Sequence, residues 1–463
     1  MSIDPRQMAL LFVAIVIPPI LWLARRRQLL IGWVCLCCCI QLFDTVVLVN
    51  LQAARLAGLI LLPATIFSVR DLFRARPGKV LMAQVAYLCV LGVVFGVLLP
   101  WEPGGYSRSA NQLAQGRATL YLIRTLADLG VALIVATEVG KRGRPSKILH
   151  YILVGTTVAA VGGCLEAVTR FDFYGQITGL RSLSIEFRMR GFNYEPRGLG
   201  LAACQGLLLS VVWFSRKRCL GRALVILLHA GALILSGSTS AVVALAAGLS
   251  VLLVSNRVRG AVGMGLAAAA VTAAVAIAIS PGAMSAYYDN AILRLSGARF
   301  QTEASNWIDS IAYRLEIFDG PALLFLARNP LFALMGTGPG LISLPATAYL
   351  PPGEAHFEWL AETGINSPPT MGVLLEVANA GVLGLALWVT FVRSAFLSMR
   401  RLGGMLGDPQ GEWRVMALAF LAMAGVYLVQ VNVSALWGVF LGVGLGAGYL
   451  ARRSALGVRG ARL

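Results

Sequence analysis

Apolar stretches long enough to cross a bilayer follow one another along this chain with little between them. A hydrocarbon core accommodates about 20 apolar residues per helix. On that measure spans are predicted near 7–24, 28–49, 53–72, 80–100, 119–139, 148–169, 198–215, 222–237, 240–255, 260–280, 371–392, 414–432 and 434–451. The count is about thirteen, within a range of about 12–14 because several are short. The expected fold class is therefore all-α, a polytopic helical membrane protein.

Polar positions supply the orientation. Basic clusters fall in alternate connections: Arg25 to Arg27; Arg70, Arg74, Arg76 and Lys79; Lys141, Arg142, Arg144 and Lys147; Arg216, Lys217, Arg218 and Arg222; Arg257 and Arg259; Arg393, Arg400, Arg401 and Arg414; and Arg452, Arg453, Arg459 and Arg462. The positive-inside rule places these, and with them the C-terminus, in the cytoplasm. Arg25 directly follows the first span and no A-x-A-like cleavage site intervenes, which reads as an uncleaved helix with its N-terminus outside.

Three connections of real length remain on the outer side, 101–118, 170–197 and 281–370. The last is far too long for a turn. The chain thus divides into an N-terminal transmembrane bundle of about ten helices (1–280), a large exterior loop domain (281–370), and C-terminal helices with a cytoplasmic tail (371–463). The loop domain is acidic, with Asp289, Glu303, Asp309, Glu316, Asp319, Glu354, Glu358 and Glu362 against Arg294, Arg299, Arg314 and Arg328, and parts such as 307–328 look helical.

Composition agrees with the pattern. Of 463 residues 58% are hydrophobic and 13% charged, and the mean hydropathy is +0.76. Soluble domains carry about 25% charged residues, so an ordinary soluble enzyme is excluded. The net charge of +18 would suggest nucleic acid in a soluble chain. Here the alternating clusters account for most of it as topology, and no nucleic-acid partner is expected.

Cysteine and histidine content narrows the chemistry. Cys35, Cys37, Cys38 and Cys39 crowd one span, where helical geometry points consecutive residues apart, so packing is favoured over a metal site. His150, His229 and His356 lie in three separate places. There is no P-loop, dinucleotide fingerprint or H-E-x-x-H, so neither metal nor cofactor is expected. His356, between Glu354 and Glu358, reads either as a general base or as a plain surface histidine.

Charges inside spans usually face a cavity or a partner. Asp44, Arg55, Arg124, Asp128, Glu138, Glu166 and Glu376 are of this kind. Arg124 and Asp128 stand four apart and can pair along one helix, as a structural or a substrate-facing pair. Arg55 either snorkels to the boundary or lines an outward-facing cavity. Before the seventh span, Arg188, Arg190 and Arg197 flank Glu195 among loop-forming Gly and Pro. They form either a guanidinium clamp for a diphosphate or a loop whose arginines pair with Glu186 and Glu195.

The order of four segments resembles the O-antigen ligase and O-antigen/exopolysaccharide polymerase family of bacterial envelope glycosyltransferases. These are Gly191-Phe192-Asn193-Tyr194-Glu195-Pro196; Leu235-Ser236-Gly237-Ser238-Thr239-Ser240; Arg314-Leu315-Glu316-Ile317-Phe318 with Asn329-Pro330-Leu331 and Gly336-Thr337-Gly338-Pro339-Gly340; and Leu374-Leu375-Glu376 with Gly381-Val382-Leu383-Gly384. They cover roughly residues 185–395, and the N-terminal half matches in hydropathy alone. Thr239 stands where the family's serine-rich turn usually carries Arg. Pro368-Pro369-Thr370-Met371 replaces the His-Asn pair of the ligases, which favours a polymerase.

The resemblance implies a metal-independent transfer of oligosaccharide from an undecaprenyl-diphosphate carrier to a glycan acceptor, at the periplasmic face of the bacterial inner membrane. With it goes an expected diphosphate contact by Arg190, Arg197 and Arg314, with Arg188, Arg124 and Arg55 as further substrate-binding positions. Glu195 is the first base expected, and His356 or Glu358 the alternative. Membrane lipids and a chain-length regulator or other polysaccharide-assembly proteins are the partners expected. Ligation to lipid A core and secondary transport or lipid-linked oligosaccharide flipping are the competing activities.

Overall fold

The computed structural model describes residues 4–44, 52–68, 70–101, 113–180, 189–216, 219–254, 259–260, 263, 319–349, 369–405, 411–430 and 434–456. Fifteen helices cover most of them, and no strand occurs among the described residues. They are α1 Pro5–Leu23, α2 Arg27–Cys39, α3 Ala53–Ser68, α4 Arg76–Val93 with a final π turn over Val94–Leu98, and α5 Ala114–Arg142. Next come α6 Pro145–Thr169, α7 Phe173–Thr178, α8 Pro196–Phe214, α9 Leu220–Ser236 and α10 Thr239–Leu253. The last five are α11 Gly320–Arg328, α12 Pro330–Met335, α13 Gly372–Met405, α14 Glu412–Val429 and α15 Ser434–Ala455.

Seven of these, α1, α4, α5, α6, α8, α13 and α14, are long and apolar enough to cross a membrane, and four shorter apolar helices accompany them. The chain is a multi-pass helical membrane protein, as the hydropathy pattern predicts. Proline at the first turn of α4, α6 and α8 uses a position that needs no N–H. The predicted span 260–280 falls almost wholly outside the described residues.

At one end Arg216, past α8, meets Glu412 at the start of α14 at 3.6 Å, and Ser146 at the start of α6 donates to the same carboxylate at 2.8 Å. The opposite end therefore gathers the N-termini of α3, α5, α8 and α13 with the C-termini of α4, α6 and α14. Hydrogen-bonded polar side chains gather there.

Between the two ends α5 is the central post. It packs most extensively against α15 and α3. Without a hydrophobic force between helices in lipid, small residues permit the close approach that dispersion needs. Gly130 of α5 lies against Gly58 of α3 so closely that a Cβ on Gly130 would stand 2.1 Å from the Gly58 carbonyl oxygen. On the other flank α15 lays Gly438, Gly442 and Gly446 along α5. Farther out, Trp388 of α13, Tyr427 of α14 and Trp437 of α15 form a stack, with near-parallel rings 5.4–5.9 Å apart across Tyr427.

Two predicted spans are redrawn. The span expected over 28–49 ends at Cys39, because Ile40 is extended and the N–H of Gln41 bonds to the Phe192 carbonyl at 3.1 Å. Asp44 consequently lies beyond the helix, where its Oδ1 accepts the Ala53 N–H at 3.0 Å just as α3 begins. The span expected over 371–392 runs on to Met405 and is interrupted at Gly381, whose φ of 67° and ψ of −174° are not helical.

Gly130→Ala is expected to cost about 1–3 kcal/mol by overpacking backbone on backbone. Gly221→Ala, with nothing within 4 Å of the added methyl, should leave the melting temperature of detergent-purified protein unchanged or slightly raised. A pair of melting curves checks both.

Candidate functional site in a polar belt at one end of the bundle

Two hydrogen-bonded networks occupy the end where α5, α8 and α13 begin. The first is built on the loop 189–195. Its arginine, Arg190, is fully buried. Arg190 Nε donates to Asp172 Oδ1 at 2.9 Å and Nη2 to Asp172 Oδ2 at 2.5 Å. Nη1 donates to the Tyr194 carbonyl at 3.2 Å and Nη2 also to the Leu180 carbonyl at 3.3 Å. The guanidinium carbon lies 4.9 Å from the centre of the Tyr174 ring. Burial pushes the Tyr174 phenol above its ordinary range, with the nearby Asp44 charge adding to the effect.

Glu166, near the end of α6, accepts the backbone N–H of Arg190 at 2.8 Å and that of Gly191. The Met189 N–H bonds to the Leu235 carbonyl at 3.1 Å, which ties this loop to the serine-rich turn. In that turn Gly237 is left-handed, Ser238 caps α10 by accepting the Ala241 N–H, and the Ser238 and Ser240 hydroxyls lie 3.1 Å apart. The serines are engaged in ending one helix and starting the next.

The second network runs from α3 through α5 to α13. Arg55 Nε and Nη2 donate to the two oxygens of Asp128 at 2.8 and 2.9 Å, and the side chains are 12% and 19% exposed. The pairing expected between Arg124 and Asp128 within α5 is thus replaced by one between helices. The bidentate fork reaches across from α3 and takes both carboxylate oxygens, a geometry suited to Arg. Arg124 stands one turn away with its Nε buried and without a hydrogen-bond partner.

One turn before Arg124, the Tyr121 hydroxyl accepts from Asn379 Nδ2 at 2.6 Å. Asn379 Oδ1 in turn accepts the Gly340 N–H at 2.9 Å. The glycine-rich segment 336–340 is docked on the broken part of α13. Thr337 donates to the Ala378 carbonyl through its N–H at 2.8 Å and its hydroxyl at 2.9 Å, and the Gly338 N–H reaches the Asn379 carbonyl at 3.2 Å. Arg117 Nη1 donates to the Ser343 hydroxyl. A turn earlier on α13, Glu376 accepts from the Tyr427 hydroxyl at 2.6 Å.

Gln41 and Asp44 join the two networks. Gln41 Oε1 accepts the Tyr194 N–H at 2.9 Å. Asp44 lies within electrostatic reach of both Tyr174 and Arg55.

The structure distributes the sequence-predicted residues unevenly. Arg190 is a correction: its donors are turned onto Asp172 and two carbonyls, so it holds the loop and is closed to a diphosphate. Arg197 lies half-buried in the first turn of α8, and Glu195 is exposed directly before it with no side-chain cap bond. Arg55 and Arg124 come together around Asp128, with Arg55 committed to the carboxylate. Arg188, Arg314, His356 and Glu358 lie outside the described residues. Tyr121, Asn379, Tyr427 and Arg117 enter the belt without any sequence signal beyond their polarity inside apolar helices. In comparisons with models of known protein families and with curated proteins, nothing matches the chain.

Breaking a buried ion pair by removing one partner costs about 3–5 kcal/mol. Arg190→Ala is expected to lose stability of that order in a detergent melt and to do so through Asp172. Adding Asp172→Asn to it should therefore cost little more. Tyr121→Phe should be mild for stability, leaving Asn379 Nδ2 without its acceptor, at about 1–3 kcal/mol.

Proposed function

We propose that this chain is a metal-independent glycosyltransferase of surface-polysaccharide biosynthesis, transferring oligosaccharide from an undecaprenyl-diphosphate donor to a glycan acceptor at the periplasmic face of a bacterial inner membrane. The observation that carries the reading is Arg124. It is a cation set beside a mutually satisfied Arg55–Asp128 pair, with its Nε lacking a hydrogen-bond partner. A diphosphate leaving group needs charge neutralisation more than it needs covalent help. Among the described belt arginines, Arg55 and Arg190 are committed to carboxylates, whereas Arg124 has an Nε without a partner.

The rest of the belt fits the same chemistry. Arg55–Asp128 fixes α3 to α5 and holds the ground on which Arg124 stands, and Tyr121 and Asn379 tie that helix to the 336–340 segment. In the transfer the acceptor hydroxyl gives its proton to a carboxylate as its oxygen bonds to the sugar, while the carrier's diphosphate departs with the electron pair. Glu195 remains the first base, since it is exposed and uncapped. His356 and Glu358 are the alternatives. The missing His-Asn pair at Pro368 to Met371 favours a polymerase over a ligase acting on lipid A core.

One observation favours a second reading. The interruption of α13 at Gly381, beside buried polar groups, is the kind of broken helix that secondary transporters and flippases use. The two readings separate in detergent, where no sealed compartment exists. An enzyme given lipid-linked repeat units lengthens glycans there, and a transporter yields no product. Arg124→Ala should lower polymer yield roughly 10²-fold, as loss of one preorganised donor does, while Arg124→Lys retains part of it. Unchanged yield from folded Arg124→Ala protein would sink the diphosphate assignment.

A further inference from the structure

The connection between the N-terminal bundle and α13 was expected to be an exterior domain over its whole length. The geometry points to something different for one described part of it: we infer that Gly320–Gly340 is a re-entrant membrane segment whose outer face contacts lipid acyl chains. The inference rests on depth, on surface chemistry and on backbone satisfaction.

Depth comes from the neighbours. The Tyr87 hydroxyl donates to the Met335 carbonyl at 2.8 Å. Tyr87 lies about eleven residues before the end of the Arg76–Leu98 span, or about 16 Å below it at 1.5 Å per residue. That is about half of a hydrocarbon core of about 30 Å. Gly336 is pressed against the backbone of Asn379 and Ala380, where a Cβ would come within 2.6 Å, and these residues lie well inside α13. A segment that touches the middle of α4 and the interior of α13 does not sit above the membrane.

Surface chemistry agrees. From Gly320 to Met335 the one charged residue is Arg328, at the end of α11, where its long side chain lies over Tyr349 and can snorkel. One face of the α11–α12 pair is buried through Ala322, Phe325 and Leu326. The other exposes Leu323 (58%), Leu324 (48%), Leu331 (61%) and Leu334 (49%). Facing water this would be an apolar patch without a partner. Apolar side chains of the helices it touches, Val90 and Val93 of α4 and Val382 and Leu383 of α13, are exposed to a similar degree.

Backbone satisfaction is the third line. Non-helical backbone at membrane depth survives only where protein takes up its polar groups. Past α12 the chain is irregular, yet the N–H groups of Gly336, Thr337, Gly338, Gly340 and Leu341 all have acceptors. The Met335 and Thr337 carbonyls accept from Tyr87 and, at 3.2 Å, from the Trp101 indole. Gly336, with φ of 91°, makes the reversal. The segment enters as two short helices, turns on the glycines, and docks on the break in α13. This placement holds whether the chain transfers sugars or moves lipids.

The test uses full-length protein in phosphatidylethanolamine and phosphatidylglycerol vesicles. Leu331→p-benzoyl-phenylalanine and Leu334→p-benzoyl-phenylalanine are irradiated and analysed by intact-protein and fragment mass spectrometry. Val161, exposed on α6, serves as the lipid-facing control position and buried Leu344 as the shielded one. The expected result is a phospholipid adduct at 331 and 334 in a yield within about threefold of Val161, with the link on an acyl chain. A cross-link to another part of the chain, a link confined to headgroups, or no adduct where Val161 gives one would each overturn the proposal. Protein that fails to fold is recognised by loss of the Val161 adduct in the corresponding double variant, and Leu323→p-benzoyl-phenylalanine then replaces the failing position.

Discussion

In a bilayer core every backbone N–H and C=O must find its partner within the protein, because no water is there to supply one. Most of this chain meets that demand through helices. The places where it departs from helix are the places where the polar belt forms. Gly381 opens α13, and the carbonyls of Ala378 and Asn379 receive Thr337 and Gly338. The loop 189–195 leaves regular structure and gives its Arg190 and Gly191 N–H groups to Glu166. Each irregularity is paid for by a side chain or backbone group from a distant segment, so the belt binds together α2, α3, α5, α6, α8, α13 and α14.

The same constraint sorts the charges. An ion removed from water is tolerated when its partner's geometry is good and further hydrogen bonds complete it. Arg190 with Asp172 and Arg55 with Asp128 meet that standard, each as a bidentate fork. Both are framework. Arg124 does not meet it through Nε, and Gln52 Oε1 and Asn193 Nδ2 are likewise buried without a partner. The satisfied forks of Arg190 and Arg55 are thereby set apart from Arg124.

Legibility in the sequence followed the range of the forces involved. Helices of twenty apolar residues need no partner to be recognised, so α1, α4, α6, α8, α14 and α15 lie close to where periodicity and length put them. The end of α2 at Cys39 was not readable, because it depends on Gln41 meeting Phe192 and Tyr194 from far along the chain. The local rule that residues four apart on a helix can pair suggested Arg124 with Asp128. Arg55 won that carboxylate because Gly58 and Gly130 bring α3 and α5 into backbone contact. Among the four family-like segments, the glycine run and Glu376 do reach the belt, while Arg190 of the 188–197 cluster is sealed inside it.

What the sequence by itself determined is the class: an all-α, multi-pass membrane protein whose charges are gathered at helix ends and a few embedded positions, since hydropathy and helix length are local properties. Tertiary structure alone decided which of those embedded charges neutralise each other and which loops descend among the helices. Ion pairing and backbone satisfaction at depth are long-range matters of distance and direction, and residues as far apart as Arg55 and Asp128, or Gly340 and Asn379, become neighbours only when the bundle closes.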